Sequence, residues 1–138
     1  MGNIKISIEE IKERLKPLFQ DEHLQLLLIF GSLAHGKVHK KSDIDLAFLY
    51  DMPVNIIELT NKVIRLLHTD RVDVVDLKRA NTLLQFAVIK KGKLMYEKAP
   101  GVFHEFCSLA FRRYIDTKKL REARAKAISY FLDAKGLS

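Results

Sequence analysis

Two short apolar runs dominate the first half of the chain, LQLLLIF at 24–30 and IDLAFLY at 44–50. The first is nearly continuous, as expected of a strand covered on both faces. Leucine also suits helices, so this strand assignment rests on shortness and on the stop at Gly31. The second run opens on Asp43 and Asp45 and closes at Asp51 and Pro53. Before them, Ile8, Ile11, Leu15 and Leu18 recur at helical spacing. Ser7 and Glu10 form the pattern of a capping box at that helix start, and Pro17 ends or kinks the helix near Lys16. Between the two strands, 33–35 reads as a short helix start and 36–42 as a loop.

The second half continues the alternation. Ile56, Leu59, Val63, Ile64 and Leu67 predict an amphipathic helix over 54–68. A third strand follows at 72–77. Asn81 caps a helix that runs to Lys91 with Leu84, Ala87 and Val88 inward, Gly92 ends it, and 94–96 makes a short strand. After Pro100-Gly101, residues 102–134 read as helix, in one piece or in two broken near 115–117. Strands alternating with helices predict an α/β fold with one main sheet.

Composition adds bounds. The 138 residues suffice for one domain. No apolar run approaches the ~20 residues of a membrane span, and the amino terminus lacks the apolar core of a signal peptide. A lone cysteine, Cys107, excludes an internal disulfide and suits a cytoplasmic protein. The net charge of +7 is uneven: residues 1–50 balance, whereas 101–138 carry eight basic and four acidic side chains. That basic third fits an anionic partner or a plainly solvated helix surface about equally well.

Candidate chemistry centres on carboxylates. Asp43 and Asp45 project from one face of the second strand, and Asp73 sits within the third. At ~4 Å and an effective dielectric near 20, two such charges repel by roughly 4 kcal/mol, and a hard cation reverses the sign. Mg²⁺ takes carboxylate oxygens together with substrate phosphates. If the strands are neighbours, three carboxylates converge and could hold two Mg²⁺ ions ~3.5–4 Å apart, as in phosphoryl and nucleotidyl transfer. An isolated Asp-x-Asp is more often a cap beside an exposed edge residue. Gly31-Ser32 changes that weighting, because glycine permits close backbone approach and a following helix start offers N–H groups to phosphate. Gly31, Gly36 and Lys37 also approach the P-loop pattern, but Val38 has no hydroxyl for the metal. His23, His35, His39, His68 and His104 show no zinc spacing. Cys107 reads as a packing residue. Phe103, Phe106, Phe111, Tyr114, Tyr130 and Phe131 read as core more readily than as a partner-binding stripe.

Gly31-Ser32, ten residues, then Asp43-Ile-Asp45, with Ser42 before and a Val-Asp-Val strand after, resembles the nucleotidyltransferase superfamily of DNA polymerase β. The short length resembles its minimal nucleotidyltransferases, the MntA-type antitoxins paired with HEPN-domain RNase toxins. The resemblance implies a polymerase β-like nucleotidyltransferase fold, a mixed sheet flanked by helices, with a transferase core at 1–98 and a helical extension at 99–138 that packs on the core or on a partner. It implies ATP with its phosphates at Gly31 and Ser32, aided by Lys41 and Ser42, and Mg²⁺ on Asp43, Asp45 and Asp73 as catalytic and metal residues. AMP would pass to a tyrosine of the partner toxin, with Asp73 helping to deprotonate the attacking hydroxyl. Asp76, on the opposite strand face, would be a local cap. Where these proteins often carry arginine the chain has His35, so the phosphate-neutralising charge is missing or falls to Lys37, Lys40 or Lys41. Alternatives from other classes are transfer to a small molecule such as an antibiotic, and a non-catalytic antitoxin that acts by binding alone. Direct nucleic-acid binding is disfavoured, since the basic residues fit no base-reading motif.

Overall fold

The computed structural model describes residues 6–31, 34 and 43–136. Helix α1 (Ile8–Leu15) starts where Ser7 Oγ accepts from the Glu10 N–H at 3.2 Å, and a 3₁₀ turn over Lys16–Gln20 follows as Pro17 dictates. Strands β1 (Leu24–Phe30) and β2 (Ile44–Tyr50) pair antiparallel. Helix α2 (Ile56–Leu67) carries the chain to β3 (Val72–Asp76), which lies parallel to β2. Helix α3 (Thr82–Lys91) returns it to β4 (Lys93–Glu97), antiparallel to β1 on its far side. The order β3-β2-β1-β4 is the mixed sheet expected, and α4 (Val102–Ala134) closes the chain.

The sheet is covered on both faces. Ile44, Leu46, Phe48 and Tyr50 pack with Ile11 and Leu15 of α1 and Leu59, Val63 and Leu67 of α2. Ala47 packs on the other face with Val88 of α3 and Phe106 and Ala110 of α4. Strict alternation would send Leu24 to the second face with Leu26 and Leu28. The register shift between Leu24 and Leu26 instead places Leu24 with Leu27 and Ile29. Both layers thus draw on β1, which accounts for its nearly continuous apolar run.

Two expectations need correction, and the open alternative for the last helix is decided. In α3, Leu84 and Ala87 are exposed, and the buried pair is Gln85 and Val88. Gln85 is tolerated there because its Nε2 donates to the Leu77 carbonyl at 2.7 Å. Helix α4 is continuous through 115–117, where Thr117 Oγ1 donates to the Arg113 carbonyl at 2.9 Å. Among the aromatic residues of α4 only Phe106 is buried. Tyr114 stacks on Phe86 with centroids 4.0 Å apart, and Phe111, Tyr130 and Phe131 are exposed. The expected helix start at 33–35 and loop at 36–42 lie, apart from the buried Ala34, outside the described residues.

Candidate active site

Parallel pairing sets Asp45 directly beside Asp73. By alternation both side chains leave the sheet on the α3/α4 face, on strands about 4.8 Å apart. The converging strands thus bring together two of the three anticipated carboxylates. Asp43 stands two residues before Asp45, just ahead of β2, and is exposed. On the other side of Asp45, β1 ends: Phe30 is its register partner, and Gly31 comes next.

Asp45 is partly buried and sits among like charges. Its carboxyl is pushed up to about 6, first by burial, then by the charge of Asp73 and a side-chain hydrogen bond with it, then by Asp43. A hydrogen bond between two carboxyl groups requires a proton on one of them. A cation placed against the pair would displace that proton and cancel the repulsion.

Gly31 is tied to the same carboxylate. Its φ is +75°, in the left-handed region that glycine adopts readily. A Cβ built on it would lie 2.1 Å from Asp45 Oδ2 and 3.1 Å from Asp45 Cγ. The motif reading assigned this glycine to close approach of a ligand. The structure adds a second reason, because the missing side chain is the space that Asp45 occupies. A glycine at a strand end gives no sequence signal for that contact, which depends on the β1–β2 register.

The donor set suits a hard divalent cation: carboxylate oxygens, partly solvated, with a proton that a metal would replace. As placed, no group of three His, Cys, Asp or Glu side chains among the described residues is arranged to hold a metal. Asp43, exposed just ahead of β2, is the third carboxylate, and its charge acts on Asp45. Ser32, Lys41 and Ser42, expected at the phosphates, lie outside the described residues, as do His35, Lys37 and Lys40. Asp76 has the local role expected of it, its Oδ1 accepting from the Lys78 N–H at 3.1 Å. His23 is engaged 2.8 Å from Asp51 Oδ1, far along the strands from Asp45.

The polymerase β nucleotidyltransferase family model matches residues 11–100, a span that holds all four strands and the three aspartates. Over 144 aligned residues the chain is 26% identical to the protein adenylyltransferase MntA of Aphanizomenon flos-aquae, covering 95% of this chain and 96% of that protein. Among solved structures it resembles a chain of a toxin–antitoxin crystallised with AMP-PNP, with TM-score 0.75, 30% identity and coverage of 86% of this chain and 98% of that one. It also resembles a chain of the tri-AMPylated Shewanella oneidensis HEPN toxin in complex with its MNT antitoxin, with TM-score 0.70, 27% identity and coverage of 88% and 98%. Strand order, the paired aspartates and the family match agree, and the chain belongs to the polymerase β nucleotidyltransferase family.

Proposed function

We propose that this protein is the antitoxin of a toxin–antitoxin pair and that it transfers AMP from ATP to a tyrosine of a HEPN-type RNase toxin. The observation that carries the reading is the Asp45–Asp73 pair, held in register beside Gly31, with the Asp45 carboxyl raised by burial and by its carboxylate neighbours. The named relatives support the choice of donor and acceptor. One is a protein adenylyltransferase, one was crystallised with AMP-PNP, and one is in complex with an AMPylated HEPN toxin.

In the transfer, the toxin tyrosine oxygen attacks the α-phosphorus of ATP. A new P–O bond forms, the bond to the bridging oxygen of the β-phosphate breaks, and pyrophosphate leaves. Mg²⁺, as two ions held by Asp43, Asp45 and Asp73, would neutralise the phosphates and the developing charge. Asp73, the more exposed member of the pair, takes the phenolic proton on its carboxylate. Asp45 is anchored by β2 and by the room at Gly31, and it fixes the position of the other ligands. The backbone at Gly31 and Ser32, with Lys41 and Ser42, binds the triphosphate. Residues 1–98 serve as the transferase core and 99–138 as a helical extension that packs on the core or on a partner.

Incubation with ATP, Mg²⁺ and a HEPN-type toxin, followed by mass spectrometry, should find AMP on a toxin tyrosine. Loss of a direct metal ligand in Asp43→Asn should slow the transfer by more than the ~10–100-fold usual for residues one shell further out. An unmodified toxin that is nonetheless neutralised would show a binding-only antitoxin instead.

A further inference from the structure

Helix α4 spans 33 residues, roughly 50 Å at 1.5 Å per residue. Its packing on the domain stops partway. Phe106 and Ala110 are its buried residues, and Tyr114 stacks on Phe86. Arg121 closes the packed part, its guanidinium 4.7 Å from the Tyr114 ring centre and donating to Thr117 Oγ1 and the Tyr114 carbonyl. From Glu122 to Phe131 every residue is exposed.

That free half is patterned. Leu120, Ala123, Ala127, Tyr130 and Ala134 follow one another at spacings of three and four, and Phe131 flanks them. A 3-4 spacing of apolar residues forms the seam of paired helices, and alanines within it let a second helix come close. Leu120, Tyr130 and Phe131 are 52%, 77% and 59% exposed, so the seam is uncovered in the isolated chain. Its flanks carry Lys119, Arg124 and Lys126, and between Lys118 and Lys135 six basic side chains face two acidic ones. A second copy of this helix would set these like charges against each other. Nucleic acid would meet the charges but leave the apolar seam wet. An amphipathic helix with acidic flanks satisfies both features.

We propose that the free half of α4 is a docking helix that pairs with an acidic-flanked amphipathic helix of the protein whose tyrosine is modified. The inference rests on the transfer reading and adds how the acceptor is held. Docking on α4 keeps the acceptor bound while a tyrosine elsewhere on it reaches Asp45 and Asp73.

The test compares the full chain with Ala127→Glu/Phe131→Glu, two exposed positions outside the transferase site, and with Lys119→Glu/Arg124→Glu/Lys126→Glu. Each is measured for Mg²⁺-ATP binding by calorimetry, and for binding and AMPylation of a HEPN-type toxin. Both variants should bind Mg²⁺-ATP as the parent does, bind toxin at least ~30-fold more weakly, and show the loss in KM for toxin more than in kcat. Toxin binding within twofold of the parent overturns the docking helix while leaving the transferase reading intact. A parent chain that binds and modifies no toxin overturns both. A dimer of the isolated chain dispersed by Phe131→Glu, or an RNA oligomer released by it with toxin binding unchanged, assigns the seam to another occupant and overturns the proposal.

Discussion

Replacing Gly31 by alanine adds one methyl group, and its consequences divide between stability and function. The new Cβ would stand 2.1 Å from Asp45 Oδ2, well inside van der Waals contact. The backbone is held by β1 on one side, so relief comes from the carboxylate end of Asp45, which must swing away from Gly31 and out of its hydrogen-bonded position beside Asp73. The φ of +75° adds a cost of its own, about 1–2 kcal/mol for a non-glycine residue in the left-handed region. In a domain of this size that lowers Tm by about 4–8 °C. Function should suffer more. A displaced Asp45 removes a proposed direct metal ligand, so transfer should fall by more than about 100-fold, beyond what second-shell losses cause. Thermal melting and single-turnover transfer of labelled AMP to the toxin, run on the same preparations, separate the two effects. A Gly31→Ala protein that melts a few degrees low yet transfers AMP within threefold of the parent would refute the coupling of Gly31 to Asp45.

Other expectations follow from the same geometry. Because the Asp45 carboxyl titrates at about 6 rather than 3.8, the metal-free native state keeps a proton that the unfolded chain has released. Its stabilising contribution is full below pH 4 and is lost as the pH rises through 6. After discounting for partial exposure, this is about 1–2 kcal/mol in urea melts, and Asp45→Asn should abolish the slope. Saturating Mg²⁺ should restore stability at neutral pH in the parent and not in Asp45→Asn, as seen in Tm. Asn55 caps α2 by accepting from the Ile57 and Glu58 N–H groups at 3.1 and 3.2 Å, so Asn55→Ala should cost about 1 kcal/mol and leave kcat for AMP transfer unchanged.

What the sequence made legible was whatever local pattern determines. Strands β1 and β2 fall on their apolar runs, and Ser7 and Asn81 each stand at a helix start. The motif spacing led to Asp45 and Asp73, and only strand pairing could show that they are register partners. Helix α3 was misphased for a physical reason. It is apolar nearly all round from Leu83 to Ile89, so periodicity does not select a face, and a glutamine wins burial through one hydrogen bond. Along the β-branched stretch of α4, Tyr114 stacks on Phe86 and the Thr117 hydroxyl donates to the Arg113 carbonyl, a tertiary and a local contact that apolar spacing does not reveal. Exposure of Tyr130 and Phe131 was equally hidden, since an apolar spacing looks the same whether the helix meets its own core or another protein.

The central claim is that Asp45 and Asp73 together carry a metal-dependent transfer of AMP. Its most direct test is the single-turnover rate of label transfer from α-labelled ATP to the toxin across a Mg²⁺ titration, for the parent, Asp45→Asn and Asp73→Asn. The account predicts saturable Mg²⁺ dependence in the parent and a loss of more than about 100-fold in both variants at every Mg²⁺ concentration. Transfer at the parent's rate by either variant, or a parent rate indifferent to Mg²⁺, would contradict it.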